Sequence, residues 1–395
     1  FASGGFPGVS EGLTWWIDNF TVFARIQPQQ SDRSKPSGKV LSPVPDTAAC
    51  PDEMRVTLVD DGALDASSIR LRIDDSTWHI GSPALSYDVE TGTLRWQALE
   101  AQPFRSIWQD TKAVHCRLTA ADEAGNTMKP LAWSWTATFD KDRKVPPPPY
   151  VSYVPSKRLV YQMFEENIDG FGNWVNCDVT RTERTAATGD ACAALMNVSS
   201  TNRFLIGLAD FTVQTETYPY MRCDLSLSGM PQGNRVQLKL SKLFFNGTTD
   251  ASPTLLKANR QGGTGFAVYD CDLRKHAAAG SGDPYGILLE AVLQGRLTEN
   301  KVGGVTMYLD NFTIYSRQDA TPSFEWQEPP DVSGIEGYSW VFDQVENTVP
   351  PERVRTRQNQ ARLQAVTPGK WWFHVRAVDH AGNWSDVGRT WIVVE

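Results

Sequence analysis

Acidic side chains that meet can hold a hard cation, aromatic faces can carry a sugar ring, and paired thiols can cross-link a chain. This 395-residue sequence offers candidates for each. The acidic candidates are Glu165 and Glu166 in MFEENIDGFGNW (163–174) and Asp310 in GVTMYLDNFTIYSR (304–317). Glu165 and Glu166 are adjacent and would point to opposite faces of a strand, so they do not make the facing carboxylate pair that glycoside hydrolysis needs. Gly8-Val9-Ser10-Glu11-Gly12 matches a serine-hydrolase elbow, but it precedes a strand rather than linking a strand to a helix. The five histidines (79, 115, 276, 374 and 380) form no metal-binding pair. No catalytic residue and no organic cofactor are therefore expected. For sugar binding, the candidates are Trp174, Tyr218, Tyr220, Tyr269 and Tyr285, with Asn173, Gln237 and Asp270 placed to bond to hydroxyls. Trp174 and Tyr285 stand beside Gly-rich or Pro-containing stretches, although each of these rings would also suit a sandwich core.

The six cysteines, Cys50, Cys116, Cys177, Cys192, Cys223 and Cys271, contain no CxxC and no zinc-like spacing with histidine. An even count in β-rich sequence suits disulfides and an oxidising, extracytoplasmic location. Pairing within domains joins Cys50 to Cys116. Cys177 with Cys192 and Cys223 with Cys271 is the simplest arrangement of the other four, whose pairing stays open.

Strands must position these groups. In 304–317 the apolar residues Val305, Met307 and Leu309 alternate, then resume one position out of phase at Phe312 and Ile314. A period of two that slips by one predicts a β-bulge at Asp310-Asn311. A close copy, GLTWWIDNFTVFAR, occupies 12–25, starting 292 positions earlier. The remainder is short apolar runs between turn clusters, 41% hydrophobic, with 14 Trp, 17 Phe and 11 Tyr, and almost no amphipathic helix. That composition predicts an all-β chain of tandem β-sandwiches. A net charge of −8 lacks the basic surface that nucleic acid requires, and no apolar run approaches a membrane span.

Taken in order, 1–26 reads as the terminal strand of a preceding jelly roll, so the chain is expected to be a piece of a longer protein. A polar linker (27–45) follows. Residues 46–143 have the strand count of an immunoglobulin-like domain and resemble the immunoglobulin-like repeats of bacterial surface proteins, chiefly through CRLTAADEAGN (116–126). KDRKVPPPPY (141–150) carries a polyproline spacer, 144–150. Residues 151–318 have the strand content of a jelly roll. Their edges, MFEENIDGFGNW and YLDNFTIYS, are similar to those of jelly-roll carbohydrate-binding modules from secreted bacterial glycoside hydrolases. Residues 319–395 resemble a bacterial fibronectin type III-like domain through Trp326, DVSGIEGYSW (331–340) and VTPGKWWFHVRAVDHAGNWS (366–385). The family pattern has a tyrosine where this chain has Trp372. AVDHAGN (377–383) repeats AADEAGN (120–126), and in both the Asp is read as turn chemistry, with a calcium role for Asp122 or Asp379 as the alternative.

The jelly-roll resemblance implies a structural calcium held by Glu165 or Glu166 together with Asp310. It also implies a polysaccharide or glycan partner, with no enzymatic role for the segment itself. The expected function is a non-catalytic, carbohydrate-binding or adhesive segment of a large secreted or cell-surface protein. The alternatives are a purely structural repeat of a surface layer, sheath or filament, favoured by the 292-residue recurrence, and the accessory region of a glycoside hydrolase. Self-association through the apolar strand 12–25 is a further expectation.

Overall fold

The computed structural model describes residues 33–101, 107–162, 171–175, 177–182, 192–197, 203–208, 214, 216–229, 235–243, 258–260, 265–274, 286–294 and 306–395. Residues 1–26, Glu165, Glu166 and Tyr285 lie outside this set. Trp174 and Cys177 are described as strand positions only.

The first sandwich contains β1 (Ser37–Ser42), β2 (Ala48–Ala49), β3 (Glu53–Val59), β4 (Leu64–Ile73), β5 (Ser76–His79), β6 (Leu85–Asp88), β7 (Thr93–Gln97), β8 (Ala113–Asp122) and β9 (Leu131–Ala137). They form two sheets, β1-β3-β7-β6 and β2-β9-β8-β4-β5. Alternation chooses the inward faces: Met54, Val56 and Leu58 from β3 and Val114, Cys116, Leu118 and Ala120 from β8 are buried. A chain of tryptophans fills the centre, with ring centroids 5.9 Å apart for Trp78–Trp96, 5.8 Å for Trp96–Trp108 and 5.4 Å for Trp108–Trp135.

Next comes β10 (Val151–Val154), then β11 (Arg158–Gln162), β12 (Phe171–Val175), β13 (Cys177–Thr182), β14 (Cys192–Asn197), β15 (Arg203–Leu208), β16 (Tyr220–Ser228), β17 (Arg235–Leu243), β18 (Ala258–Arg260), β19 (Ala267–Asp272), β20 (Gly286–Gln294) and β21 (Thr306–Tyr315). The jelly-roll sheets are β13-β14-β21-β16-β19, with β11 also on β21, and β12-β15-β20-β17-β18. The predicted bulge is present. Asp224 on β16 faces Asp310 and Arg222 faces Thr313, so Asn311 and Phe312 together oppose Cys223. Asn311 takes φ +47°, a conformation that Asn tolerates better than most residues. The same point is where one edge of β21 changes neighbour, from β14 along Thr306–Leu309 to β11 along Phe312–Tyr315.

The C-terminal sandwich adds β22 (Ser323–Trp326), β23 (Ile335–Asp343), β24 (Gln360–Arg362), β25 (Gly369–Asp379) and β26 (Gly388–Val394). Its sheets are β10-β22-β24 and β23-β25-β26. Sequence division placed Val151 at the start of the jelly roll, whereas β10 is antiparallel to β22, with Val151 opposite Trp326 and Val154 opposite Ser323. The jelly roll is thus inserted between two neighbouring strands of the C-terminal sandwich. The polyproline segment before β10 lies against β26: a Cβ built on Gly388 would stand 1.8 Å from the Pro149 carbonyl oxygen, so only glycine fits there. Phe324 and Phe373 stack at 4.3 Å in the core. The turn before β25 is tied back by Trp371, whose Nε1 donates to the Thr367 carbonyl at 3.0 Å.

The cysteine pairing expected from sequence does not form. All five described cysteines carry thiols. Cys177 faces Asn197 and Cys192 faces Thr182, five ladder positions apart and about 17 Å along the strand, far beyond disulfide reach. Cys223 and Cys271 are diagonal neighbours, opposite Tyr269 and Met221 respectively. Cys116 Sγ lies 4.0 Å from Met54 Sδ in the core. The Cys50 thiol is pushed up to about 12 by burial and then by the carboxylates of Asp142, Asp331 and Asp379.

Candidate functional site

On β16 the side chains of Met221, Cys223, Leu225 and Leu227 are buried in the jelly-roll core, so Tyr220, Arg222 and Asp224 project from the opposite face. On an isolated jelly roll that face would be open to a ligand. Here the C-terminal sandwich and the segment leading into the jelly roll cover it.

Arg222 is the centre of the covered face and is 3% exposed. Its Nη1 donates to the Trp391 carbonyl at 2.8 Å and its Nη2 to Thr390 Oγ1 at 2.6 Å, both on β26. The guanidinium also lies 5.6 Å from the ring centroids of Tyr153 and Trp391. Asp270 supplies the counter-charge, 3.5 Å from Arg222 and 2.9 Å from Arg317. Tyr315 donates to Asp270 Oδ2, the oxygen that faces Arg222, and burial together with Asp270 holds that phenol well above its ordinary range. Tyr220 lies between two guanidinium groups, Arg317 at 3.8 Å and Arg274 at 5.0 Å from its centroid, and its hydroxyl donates to Glu395.

Beside this lies a second polar group at the bulge. Asp224 Oδ2 accepts from Ser152 Oγ at 2.6 Å and Asn311 Nδ2 at 2.8 Å. Burial raises its carboxyl above the usual carboxylate range, against the pull of Ser152, Arg222 and Asn311. Asp310 is fully buried, and its Oδ1 accepts from the Asn311 amide at 2.8 Å. The bulge therefore turns a carboxylate and a carboxamide into a seam closed by Ser152, which comes from β10.

These positions sort the sequence candidates. Tyr220, 1% exposed, belongs to the seam, and Tyr269, 7% exposed, faces the core; neither presents a ring face to solvent. Tyr218 is half-buried in the turn before β16. Asp270, expected to bond to a sugar hydroxyl, is consumed by two arginines and a tyrosine. Trp174 falls on the edge strand β12, at a register shift between Asn173 and Val175. Gln237 is on β17 of the same sheet, opposite Val292. Asp310 is buried on β21, and Gln162 pairs with Phe312 three positions before Glu165, but Glu165 and Glu166 lie outside the described residues. Sequence reading missed Arg222 and Arg317, which look like ordinary exposed strand arginines. The available signal was their position beside Asp224 and after the bulge.

Among the described residues no helix is long and apolar enough to cross a membrane. No family model matches the chain, and no curated protein matches it. Among solved structures, it is similar to the CBM22-2 xylan-binding domain from Paenibacillus barcinonensis Xyn10C, at 13% identity over 40% of this chain and 99% of that one, with a TM-score of 0.30. The CBM22-1–GH10 modules of Clostridium thermocellum xylanase 10B give 15% identity over 41% of this chain and 29% of that one, with a TM-score of 0.29. A structure of carbohydrate-binding modules from the β-sandwich superfamily covers 71% of this chain and 98% of its own at 12% identity and a TM-score of 0.25. Scores this low transfer no ligand and no site residue, and the β-sandwich architecture stands on the strand pairing of the chain itself.

Proposed function

We propose that this chain is a non-catalytic segment of an extracellular or cell-surface protein that holds a carbohydrate-binding jelly roll in fixed orientation. The observation that carries the reading is the seam around Arg222: one face of the jelly roll is spent on attachment, which leaves the β12-β15-β20-β17-β18 sheet for a ligand. Trp174, Asn173 and Gln237 all belong to that sheet, and the register of the edge strand β12 shifts at Trp174. A calcium ion held by Asp310 with Glu165 or Glu166 would brace the bulge where β21 changes neighbour. The extracellular assignment rests on the resemblance of the module edges, since the described cysteines give it no support.

The test is a glycan-array and polysaccharide pull-down screen of the full chain. Saturable binding to one glycan class, lost in Trp174→Ala and kept in Tyr269→Phe, supports the reading. Absence of binding by a folded chain removes it. The second reading, a purely structural repeat that also associates through residues 12–25, is favoured by the burial of Tyr220, Arg222, Asp224, Asp310 and Asn311 in packing. It would then be tested by the chain's oligomeric state with and without residues 1–26.

A further inference from the structure

The first and C-terminal sandwiches meet at a junction separate from the Arg222 seam. Val332, from the loop between β22 and β23, is buried in the core of the first sandwich, and its carbonyl accepts from the amides of Ile107 at 3.2 Å and Trp108 at 3.4 Å. Phe139 stacks on His380 at 5.6 Å. Asn383 Nδ2 donates to the Lys144 carbonyl at 3.3 Å.

Three aspartates converge at this junction: Asp142 from the end of the first sandwich, Asp331 from the Val332 loop and Asp379 from the end of β25. One carboxylate oxygen of each lies within 4.8 Å of the others, and all three residues are buried. Among the described residues no lysine, arginine or histidine forms an ion pair with any of them; Lys144, the near cation, turns its Nζ to Asp52. Three like charges this close, withdrawn from water, must protonate or share a cation.

Hydrogen bonding singles out one oxygen. Asp379 Oδ1 accepts from the amides of Ala381 and Asn383, and its Oδ2 from Asn383 Nδ2. Asp331 Oδ1 accepts both the amide and the hydroxyl of Ser333. Asp142 Oδ1 accepts the Lys144 amide at 2.9 Å. Asp142 Oδ2 is buried with no hydrogen-bond partner, on a residue 2% exposed. The Ser333 hydroxyl, close to Asp142, donates to Asp331 Oδ1 at 2.8 Å. A buried carboxylate oxygen without a donor is costly and is normally explained by an ion or water.

We propose that Asp142, Asp331 and Asp379 form a calcium site that joins the first sandwich to the C-terminal sandwich. The donors are all hard oxygens, the kind Ca²⁺ takes at six to eight positions, and the neighbouring Lys144 carbonyl and water are of the same kind. Mg²⁺, which demands strict octahedral geometry and dehydrates reluctantly, fits such an irregular set less well. Bound there, the ion would add a link between two sandwiches that meet, among the described residues, through the inserted Val332, the Phe139–His380 stack and hydrogen bonds.

The test is calorimetric titration of CaCl₂ into the chelator-stripped full chain, with thermal melts in calcium, magnesium and chelator. The wild type is expected to bind one more calcium equivalent than Asp331→Asn or Asp142→Asn, and its calcium-dependent rise in melting temperature should be lost in both. Asp310→Asn should leave this equivalent in place, which separates the junction from the bulge. Equal stoichiometry in wild type and either folded variant would overturn the proposal. So would a wild-type chain that takes up no calcium at millimolar concentration, an outcome that does not depend on any variant folding.

Discussion

The two copies of the A-x-D-x-A-G-N turn fold identically and end in different surroundings. In the first sandwich the Asp122 amide donates to the Asn126 carbonyl, Gly125 N donates to the Asp122 carbonyl, and the Asp122 carboxylate accepts both the Asn126 amide and Nδ2 at 2.7 Å. Asp379 and Asn383 repeat each bond, with the carboxylate accepting at 2.8 Å. The next residue does the same work in each: Glu123 N donates to Ala63 O, and His380 N to Gly334 O. Yet among the described residues only Asp379 joins a group of three carboxylates. The turn is a property of seven residues. What its aspartate can do depends on Asp142 and Asp331, brought in by packing.

That contrast can be broken most forcefully at the strand after each turn. Leu131 begins β9 five positions after Asn126, and Gly388 begins β26 five positions after Asn383. Even Gly388→Ala should destabilise the C-terminal sandwich by about 3 kcal/mol and displace the polyproline segment, because its Cβ would meet a backbone oxygen rather than a yielding side chain. Calorimetric melts and accelerated proteolysis near residue 149 would check this; a wild-type melt would show that the linker yields freely.

The aspartates come next. Asp122→Ala and Asp379→Ala each remove the acceptor of part-buried donors and should each lower the melting temperature. In calcium Asp379→Ala should be the worse of the two. In chelator the order should reverse, since the same substitution relieves like-charge repulsion at the junction. Identical costs in both buffers would mean the two turns are equivalent after all.

Val332→Ala should cost roughly 1–2 kcal/mol by withdrawing an apolar plug from the first sandwich, and solution scattering should show the angle between the sandwiches broadening. An unchanged scattering profile would leave the junction to the polar contacts alone.

The smallest effect is on pH. Burial works to raise the Asp122 carboxyl, but the Asn126 side chain and the backbone donors of Asn126, Gly125 and Ala124 outweigh it, so its value is lowered from 3.8. A depressed carboxylate contributes stability that is present above its unfolded value and lost as pH falls through the folded one. Asp122→Asn should therefore flatten the acid limb of stability below about pH 4, read as the midpoint difference from wild type between pH 6 and pH 3.

Several features could be read directly from the chain. The slip in phase between Leu309 and Phe312 located the bulge, because side-chain direction alternates rigidly along a strand and an extra residue must appear as a slip. The Gly-Asn turns were legible because positive φ and an Asx hydrogen bond are decided within a few residues.

Other features depend on partners far away in sequence. Whether Tyr220 is a sugar platform or a seam residue is decided by β26, some 170 positions on. The register of β13 on β14 separates Cys177 from Cys192, although their pairing was the simplest arrangement in sequence. Val151–Val154 resembles any short apolar strand, and only its pairing with β22 assigns it to the C-terminal sandwich. The Asp142–Asp331–Asp379 group draws on residues from two sandwiches. Turns and strand faces were set by short-range backbone and side-chain preferences that the sequence carries locally. Seams, register and the meeting of charges were set by which apolar surfaces could be buried together, and only the folded structure contains that.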